Sequence, residues 1–298
     1  MVLRIRANLF HIVATVLVFL LSPQQGWAGG SALHESRSFH SDALDREMAY
    51  SIYLPAGYGT GGRYPVVYLL HGLGGGETDW PNAGGALRTA DRLIAAGDIR
   101  PMIIVMPDGE NGWYTDTAEY GGPGAFETAI IDDLIAHIET RYNADPTRAA
   151  RAVAGLSMGG FGAVRFAAKH PDRFAAAVSF SGAIVEDDLP GNPVSETQIK
   201  LFRGAFGTPF KAAAFNRENV FSFLPRLAEA ELKPKFLLTV GDDDYFTLYE
   251  GAFLTFLRMR AMGIPVELRV TDGNHSWDLW RRELGRGLRF IDAAFAGK

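Results

Sequence analysis

The chain has 298 residues, of which 47% are hydrophobic and 21% are charged, and its formal net charge at pH 7 is -5. This composition allows a large buried core, and the mild negative charge gives no reason to expect a nucleic-acid partner. The sequence contains no cysteine. That excludes disulfide bonds, a cysteine nucleophile and lipid attachment at an N-terminal cysteine.

The N-terminus has the layout of a signal peptide. Arg4 and Arg6 precede an almost unbroken apolar run at 9–21, and Gly26 and Ala28 provide the small residues of a cleavage site. The alternative is an uncleaved anchor, but the run is short for a membrane span of about 20 residues. We therefore predict a signal peptide at 1–28 cleaved after Ala28, and a secreted or periplasmic domain at 29–298. No stable membrane association is expected after cleavage.

Eight short segments are predicted as strands. The first two carry alternating or β-rich patterns, and the other six are apolar runs that fit strands buried on both faces of a sheet. In chain order the segments are 36–41, 48–54, 64–70, 102–106, 150–154, 174–180, 236–240 and 266–270.

Helical patterns alternate with the later strands. The clearest lies at 126–142, where an apolar residue recurs at every fourth position, and the others lie at 86–96, 158–169, 247–262 and 279–295. This alternation predicts an α/β fold: a mostly parallel eight-stranded sheet with helices on both faces and an antiparallel start. Residues 182–234, which contain five prolines, interrupt the pattern. They fit either a cap insertion over a cleft or an ordinary surface excursion.

A serine motif stands between a predicted strand and a predicted helix. The segment Gly155-Leu156-Ser157-Met158-Gly159 matches G-x-S-x-G. On a sharp strand-to-helix turn this motif exposes the serine Oγ above the sheet, and the glycines prevent clashes there. Ser157 is therefore the candidate nucleophile.

A serine hydroxyl needs a base, and the base needs an acid that orients it. In α/β-hydrolases, which carry this serine motif, they follow the serine in the order acid, then histidine. His275 is the histidine that satisfies this order, and the loop after the preceding strand offers Asp242, Asp243 and Asp244. The residues alone do not choose among the three. The alternatives are that His275 caps the next helix and that the aspartates bind a cation.

Donors for a developing oxyanion are the third requirement. The glycine-rich segment from His71 to Gly76 follows the third predicted strand, where α/β-hydrolases keep one oxyanion N–H, and the second donor would be the Met158 amide. The rival dinucleotide motif G-x-G-x-x-G would need glycine where Glu77 stands. We expect His71 itself to have a structural role.

Together these motifs resemble the esterase D / feruloyl esterase group of α/β-hydrolases, which also includes S-formylglutathione hydrolases, tributyrin-type esterases and mycolyltransferases. The resemblance covers about residues 36–295. Its motifs are Tyr-Leu-Pro at 53–55, Leu-Leu-His-Gly at 69–72, Gly-Leu-Ser-Met-Gly-Gly at 155–160, Lys-His-Pro-Asp-Arg-Phe at 169–174, Gly-Asp-Asp-Asp at 241–244 and Gly-Asn-His-Ser-Trp at 273–277. It implies that Asp244 is the acid and that the amides of Leu73 and Met158 bind the oxyanion.

The resemblance also implies a serine carboxylesterase without metal or organic cofactor, whose partner is a small-molecule ester with a short acyl or aryl (feruloyl-like) group. Export argues against S-formylglutathione hydrolysis, and the 71–76 segment differs from the usual mycolyltransferase loop. Five aromatic residues are candidates for the pocket, with at least two expected in the core instead: Trp80, Trp113, Tyr114, Phe246 and Trp277.

Two other functions remain open from the sequence. An exported acyltransferase would use the same three residues and pass the acyl group to a sugar or lipid alcohol. A non-catalytic binding protein would keep only the scaffold, since a fold does not fix a function. The sequence does not indicate an oligomeric state.

Overall fold

The computed structural model describes residues 29–297, which form one eight-stranded sheet. Its order is β1-β2-β4-β3-β5-β6-β7-β8; β1 and β2 are antiparallel to their neighbours and the rest of the sheet is parallel. The strands are β1 Ala32–Ser41, β2 Arg46–Leu54, β3 Val66–Leu70, β4 Ile103–Pro107, β5 Arg151–Leu156, β6 Ala176–Phe180, β7 Lys235–Gly241 and β8 Val266–Thr271. The predicted sheet is therefore confirmed.

One strand departs from the prediction. β8 was expected to be buried on both faces, but only Val266 in it is buried, and Val270 is 40% exposed. The reason is its position, because β8 pairs only with β7 and forms the edge of the sheet. Its apolar residues alternate with Glu267 and Arg269, charges of the kind that protect an edge strand from pairing with another chain.

Helices cover both faces of the sheet, as predicted. The helical stretch at 126–142 is not one regular helix: it runs through α3, a π-helical segment and α4. The helices are α1 Asp79–Asn82, α2 Ala86–Ala95, α3 Phe126–Thr128, a π-helix at Ala129–Leu134, α4 Ile135–Arg141, α5 Met158–Lys169, α6 Glu196–Leu201, α7 Ala212–Glu218, α8 Val220–Glu229, α9 Leu248–Ala261 and α10 Trp277–Phe295, with 3-10 turns at Ala118–Tyr120 and Arg148–Ala150.

Alternate residues of the buried strands enter two separate cores. In β3, Tyr68 and Leu70 belong to the core packed with α4, α5 and α8, whereas Val67 and Leu69 belong to the core packed with α2 and α10. This follows from the two-residue side-chain period of a strand. The central strands, β3 and β5, are thereby fixed from both sides.

The predicted signal peptide at 1–28 lies outside the described residues. Within residues 29–297, no helix is both long enough and apolar enough to cross a membrane.

A buried group of charges fastens α5 to its surroundings. Arg165 on α5 is fully buried, and its guanidinium bonds to Glu127 of α3 (2.7 Å) and to Glu218 of α7. Lys169 lies 2.9 Å from the same Glu127 oxygen, and His170 bonds to the other oxygen. Burial alone would raise the pKa of Glu127, but the charge of Arg165 and the hydrogen bonds from His170 and Lys169 outweigh it and hold that pKa well below its usual range.

We expect Glu127→Gln to lower the free energy of unfolding at pH 7 by about 3 kcal/mol, because it removes one of the two carboxylates that neutralise the buried Arg165 and leaves Glu218 to do so alone. Urea unfolding measures this difference. The matched control is Glu119→Gln, which removes the carboxylate of an exposed pair with Arg217 and should cost little.

The cost of Glu127→Gln should depend on pH in one direction. A carboxyl whose pKa is lower in the folded state stabilises the protein above its unfolded pKa, about 4.3, and loses that contribution as the pH falls below it. The difference between wild type and variant should therefore shrink between pH 5 and pH 3.5. A difference that stays constant over that range would contradict this account of Glu127.

Candidate active site

Ser157 occupies a strained turn between β5 and α5. Its backbone angles are φ 53° and ψ -116°, a region that non-glycine residues rarely adopt and that occurs at functional sites. A Cβ on Gly155 would lie 2.3 Å from the Gly159 carbonyl oxygen, and one on Gly159 would lie 2.5 Å from the His71 carbonyl oxygen. The turn therefore closes only with glycine at both positions.

Two backbone hydrogen bonds hold the turn in place. The Ser157 amide donates to the Phe180 carbonyl at the end of β6 (2.9 Å), and the Ser157 carbonyl accepts from the Ala183 amide (2.9 Å). The serine side chain is left half-buried at the carboxyl end of the parallel strands. Loops from several strands converge at this edge of the sheet.

The structure brings Ser157, His275 and Asp244 into one chain of hydrogen bonds. His275 Nε2 lies 3.0 Å from Ser157 Oγ, and His275 Nδ1 lies 2.8 Å from Asp244 Oδ2. An ionised carboxylate only accepts, so Nδ1 carries the proton and the Nε2 lone pair faces the serine. The second carboxylate oxygen accepts from the Phe246 amide at 3.0 Å, which fixes the orientation of Asp244.

Geometry separates the three aspartates that the sequence left open. Asp244 is 2% exposed and contacts the imidazole, whereas Asp242 and Asp243 are exposed. Asp242 accepts from the Gly273 amide at 3.1 Å and so supports the loop that carries His275. Asp272 joins Asp242 and Asp243 in an exposed group whose carboxylate oxygens lie within 4.8 Å of one another.

The alternative role of His275 as a helix cap does not match the structure. Helix α10 begins at Trp277 and its N-cap is Ser276. The His275 ring is instead enclosed by three aromatic rings, with centroids 5.8 Å away for Tyr245, 5.0 Å for Phe246 and 4.9 Å for Trp280. These rings keep the imidazole in the orientation that both of its hydrogen bonds require.

A cleft of about 590 Å³ opens beside this chain of hydrogen bonds. Ser157 and His275 line it, as do Leu73 and Met158, the two residues predicted to supply oxyanion donors. Within the described part of the chain, neither the Leu73 nor the Met158 amide donates to another protein group. Two unpaired N–H donors and a serine hydroxyl therefore border the same space.

The five aromatic residues predicted for the pocket divide into two groups. Trp113, Phe246 and Trp277 line the cleft. Trp80 and Tyr114 do not, which corrects the prediction for these two: they are 1% and 0% exposed, and their polar atoms bond within the core. Trp80 Nε1 donates to the Leu70 carbonyl and the Tyr114 hydroxyl donates to the His71 carbonyl.

Sequence reasoning offered the segment 182–234 as a cap over a cleft or a surface excursion, but it did not identify the residues of this segment that form a wall of the cleft. Seven of its residues line the cleft: Ala183, Val185, Ser195, Thr197, Gln198, Leu201 and Phe202. The signal was the break in strand–helix alternation, which indicates an insertion but not which of its side chains reach the site. Tyr245 and Asp79, also in the wall, had no signal of their own.

The family model described as "Putative esterase" matches residues 41–291. An esterase of Mycobacterium tuberculosis is 42% identical over 151 residues, 48% of this chain and 31% of that protein. An endo-1,4-beta-xylanase/feruloyl esterase of Xylanibacter ruminicola is 33% identical over 204 residues, 62% of this chain and 28% of that protein. The chain thus spans about a third of the length of these relatives.

Solved structures share the fold. A ferulic acid esterase structure superposes with a TM-score of 0.72 at 28% identity, over 89% of this chain and 99% of that one. An S-formylglutathione hydrolase from Staphylococcus aureus has a TM-score of 0.70 at 20% identity, over 88% and 99%. With the eight-stranded sheet and the match over residues 41–291, these comparisons lead to one conclusion: the chain belongs to the esterase family of α/β-hydrolases.

Proposed function

We propose that this protein is an exported serine carboxylesterase that hydrolyses short acyl or aryl esters through a covalent acyl-enzyme. The observation that carries the proposal is the hydrogen-bonded chain from Asp244 through His275 to Ser157, which ends at a cleft bordered by two unpaired amides. The relatives named as esterases, and the acetyl esterase of Caldicellulosiruptor saccharolyticus at 24% identity over 76% of this chain, support the reaction class.

In the first half of the reaction, Ser157 Oγ attacks the ester carbonyl carbon while its proton passes to His275 Nε2. The carbonyl electron pair moves onto oxygen, and the Leu73 and Met158 amides donate to the oxyanion that forms. Asp244 keeps the imidazole in the required tautomer and stabilises the imidazolium. The tetrahedral intermediate collapses, the C–O bond to the alcohol breaks, and His275 protonates the departing alkoxide.

In the second half, water replaces the alcohol. His275 takes a proton from the water as its oxygen attacks the acyl carbon of the Ser157 ester, and the same two amides bind the second oxyanion. Breaking the acyl–serine bond releases the acid and returns the proton to Ser157. His275 accepts and donates the proton in each transfer of the cycle. The proposed reaction therefore needs only groups of this chain, the ester and water.

The lining of the cleft supports the proposed substrate class. Trp113 is T-shaped against Phe202 with ring centroids 4.9 Å apart, and Phe246 and Trp277 complete an aromatic wall. Apolar and aromatic walls of this kind bury the hydrocarbon part of a ligand, while a few polar groups orient it. Because Phe202 belongs to the segment 182–234, we assign this segment to the cap of the acyl site.

A smaller cavity of about 240 Å³ adjoins the cleft and shares five lining residues with it: Val185, Gln198, Phe246, Thr247 and Leu248. Its wall also contains polar side chains that do not line the cleft, among them Asn192 and Glu250. The two cavities together offer a mainly apolar space and a more polar space next to each other. This division suits an ester with a hydrocarbon acyl group and a hydrogen-bonding alcohol.

We expect Ser157→Ala to lower kcat for p-nitrophenyl acetate by more than about 10⁴-fold, because no other group can form the acyl-enzyme. Circular dichroism and thermal unfolding should show an intact fold. The product with wild type should be the free acid even when glucose is added as an acceptor. Full activity of Ser157→Ala would contradict the proposal, and a glucose ester as main product would identify an acyltransferase.

Two aspartates that adjoin in sequence offer a matched pair of variants. Asp244→Asn should lower kcat by about 10³–10⁴-fold, because an amide in place of the carboxylate no longer holds Nδ1 protonated. Asp243→Asn makes the same chemical change on an exposed side chain and should leave kcat within about twofold. Steady-state kinetics of both variants test the assignment, and an equal loss in the two would refute it.

A further inference from the structure

The loop that carries the proposed oxyanion donor is fastened to a neighbouring loop by side-chain hydrogen bonds. We name residues 71–76 the oxyanion loop and residues 108–115 the clamp loop. We propose that His71, Asn111 and Tyr114 are positioning residues, which set the direction of the Leu73 N–H. This inference rests on the proposed function, because it concerns a donor that matters only if an oxyanion forms.

The Gly72 carbonyl and the Leu73 N–H belong to one planar peptide unit, so the direction of one fixes the direction of the other. The Gly72 carbonyl oxygen lies 2.8 Å from His71 Nδ1 and accepts from the Gly75 amide at 3.1 Å. Both contacts hold the carbonyl on one side of the loop. The Leu73 N–H must then point the opposite way, and Leu73 lines the cleft together with Ser157.

His71 can act in this way in only one tautomer. Its Nε2 accepts from the Gly109 amide of the clamp loop at 2.8 Å, so that nitrogen needs a free lone pair and Nδ1 must carry the proton. The Asp108 carboxylate is farther from Nε2, at 3.5 Å, and its own partner is the Glu110 amide at 2.8 Å. The clamp loop therefore selects the tautomer that lets His71 donate to Gly72.

The clamp loop also fixes the two peptide units on either side. The Tyr114 hydroxyl donates to the His71 carbonyl at 3.0 Å, and the Gly74 amide donates to Asn111 Oδ1 at 2.8 Å. Three successive peptide units, from His71 to Gly74, are each held by a side chain. Tyr114 is fully buried and His71 is 1% exposed, so water cannot readily replace the bonds that these two side chains make, whereas the bond from Gly74 to Asn111 is exposed.

The clamp loop itself has an unusual backbone. Glu110, Trp113 and Tyr114 have φ values of 45°, 52° and 55°, in the left-handed region that costs energy for residues other than glycine. Arg165 Nη1 donates to the Tyr114 carbonyl at 3.1 Å and so holds this strained segment against α5. This strained backbone conformation places Asn111 Oδ1 and the Tyr114 hydroxyl within hydrogen-bond distance of the oxyanion loop.

Three variants remove one fastening each: His71→Ala, Asn111→Ala and Tyr114→Phe. We expect each to lower kcat while KM stays within about twofold, by about 10–100-fold for His71→Ala and by several-fold for the other two. Removing an oxyanion donor completely lowers kcat by about 10²–10³-fold. A donor that points in the wrong direction should lose only part of this contribution.

Affinity for an aryl trifluoromethyl ketone, whose serine adduct carries an oxyanion, should fall by the same factor as kcat/KM. His71→Asn, which keeps an N–H donor near the position of Nδ1, should recover part of both.

Tyr53→Phe is the matched control. Tyr53 is 1% exposed and its hydroxyl donates to Asp91 at 2.8 Å, so Tyr53→Phe removes a partly buried hydrogen bond between β2 and α2 that involves neither loop. Thermal unfolding should show comparable losses of stability in Tyr53→Phe and Tyr114→Phe, but only Tyr114→Phe should lose kcat and ketone affinity. If all three loop variants keep wild-type kcat and ketone affinity, the bonds are merely structural and the inference is wrong.

A spectroscopic measurement tests the tautomer directly. In ¹⁵N-histidine-labelled protein at neutral pH, the His71 signals, assigned from their loss in His71→Asn, should show a protonated Nδ1 and an unprotonated Nε2. A protonated Nε2 would overturn the inference. These outcomes differ from a failure of the proposed function, in which wild type itself would lack esterase activity and would not react with the ketone.

Discussion

The geometry of the site depends on the backbone of Ser157. A residue with a side chain is held at φ 53°, at a cost of about 1–3 kcal/mol, because the chain must pass from β5 into α5 without an intervening loop. The turn closes because Gly155 and Gly159 let the backbone of β5, α5 and the oxyanion loop approach within distances that a Cβ would prevent. Close packing at this point places the hydroxyl and the Met158 amide side by side.

The parallel sheet explains why the remaining groups meet there. The oxyanion loop follows β3, the clamp loop follows β4, Asp244 follows β7 and His275 follows β8. Since the carboxyl ends of parallel strands lie at one edge of the sheet, residues separated by more than 200 positions become neighbours. Arg165 stabilises this arrangement from within the core. It joins α5 to the clamp loop through the Tyr114 carbonyl and to the segment 182–234 through Glu218.

The sequence predicted the elements better than the environments of their side chains. Strong local patterns identified all eight strands, and α5 was predicted with the bounds the structure gives. Whether a strand lies at the edge or in the centre of a sheet depends on the whole sheet. The apolar residues of β8 therefore could not show that this strand would be exposed. For the same reason Trp80 and Tyr114 could not be told from pocket residues, since an aromatic ring suits a core and a cleft equally well.

In the candidate site, too, the sequence predicted some residues from local motifs but not the contacts between distant parts of the chain. Ser157 and His275 were identified by motif, context and order along the chain, whereas Asp244 needed either the family resemblance or the 2.8 Å contact with His275. Nothing in the sequence indicated which residues of 182–234 reach the cleft, or that the His71 tautomer depends on an amide 38 positions away. Such relations come from loop packing, which has no periodic signature.

Covalent capture of the nucleophile tests the central claim most directly. The protein would be treated with a fluorophosphonate probe, digested and analysed by mass spectrometry, with His275→Ala protein treated in parallel. The account predicts one adduct, on the hydroxyl of Ser157, formed rapidly in wild type and far more slowly without the His275 imidazole. Absence of an adduct, or an adduct on another serine, would contradict it.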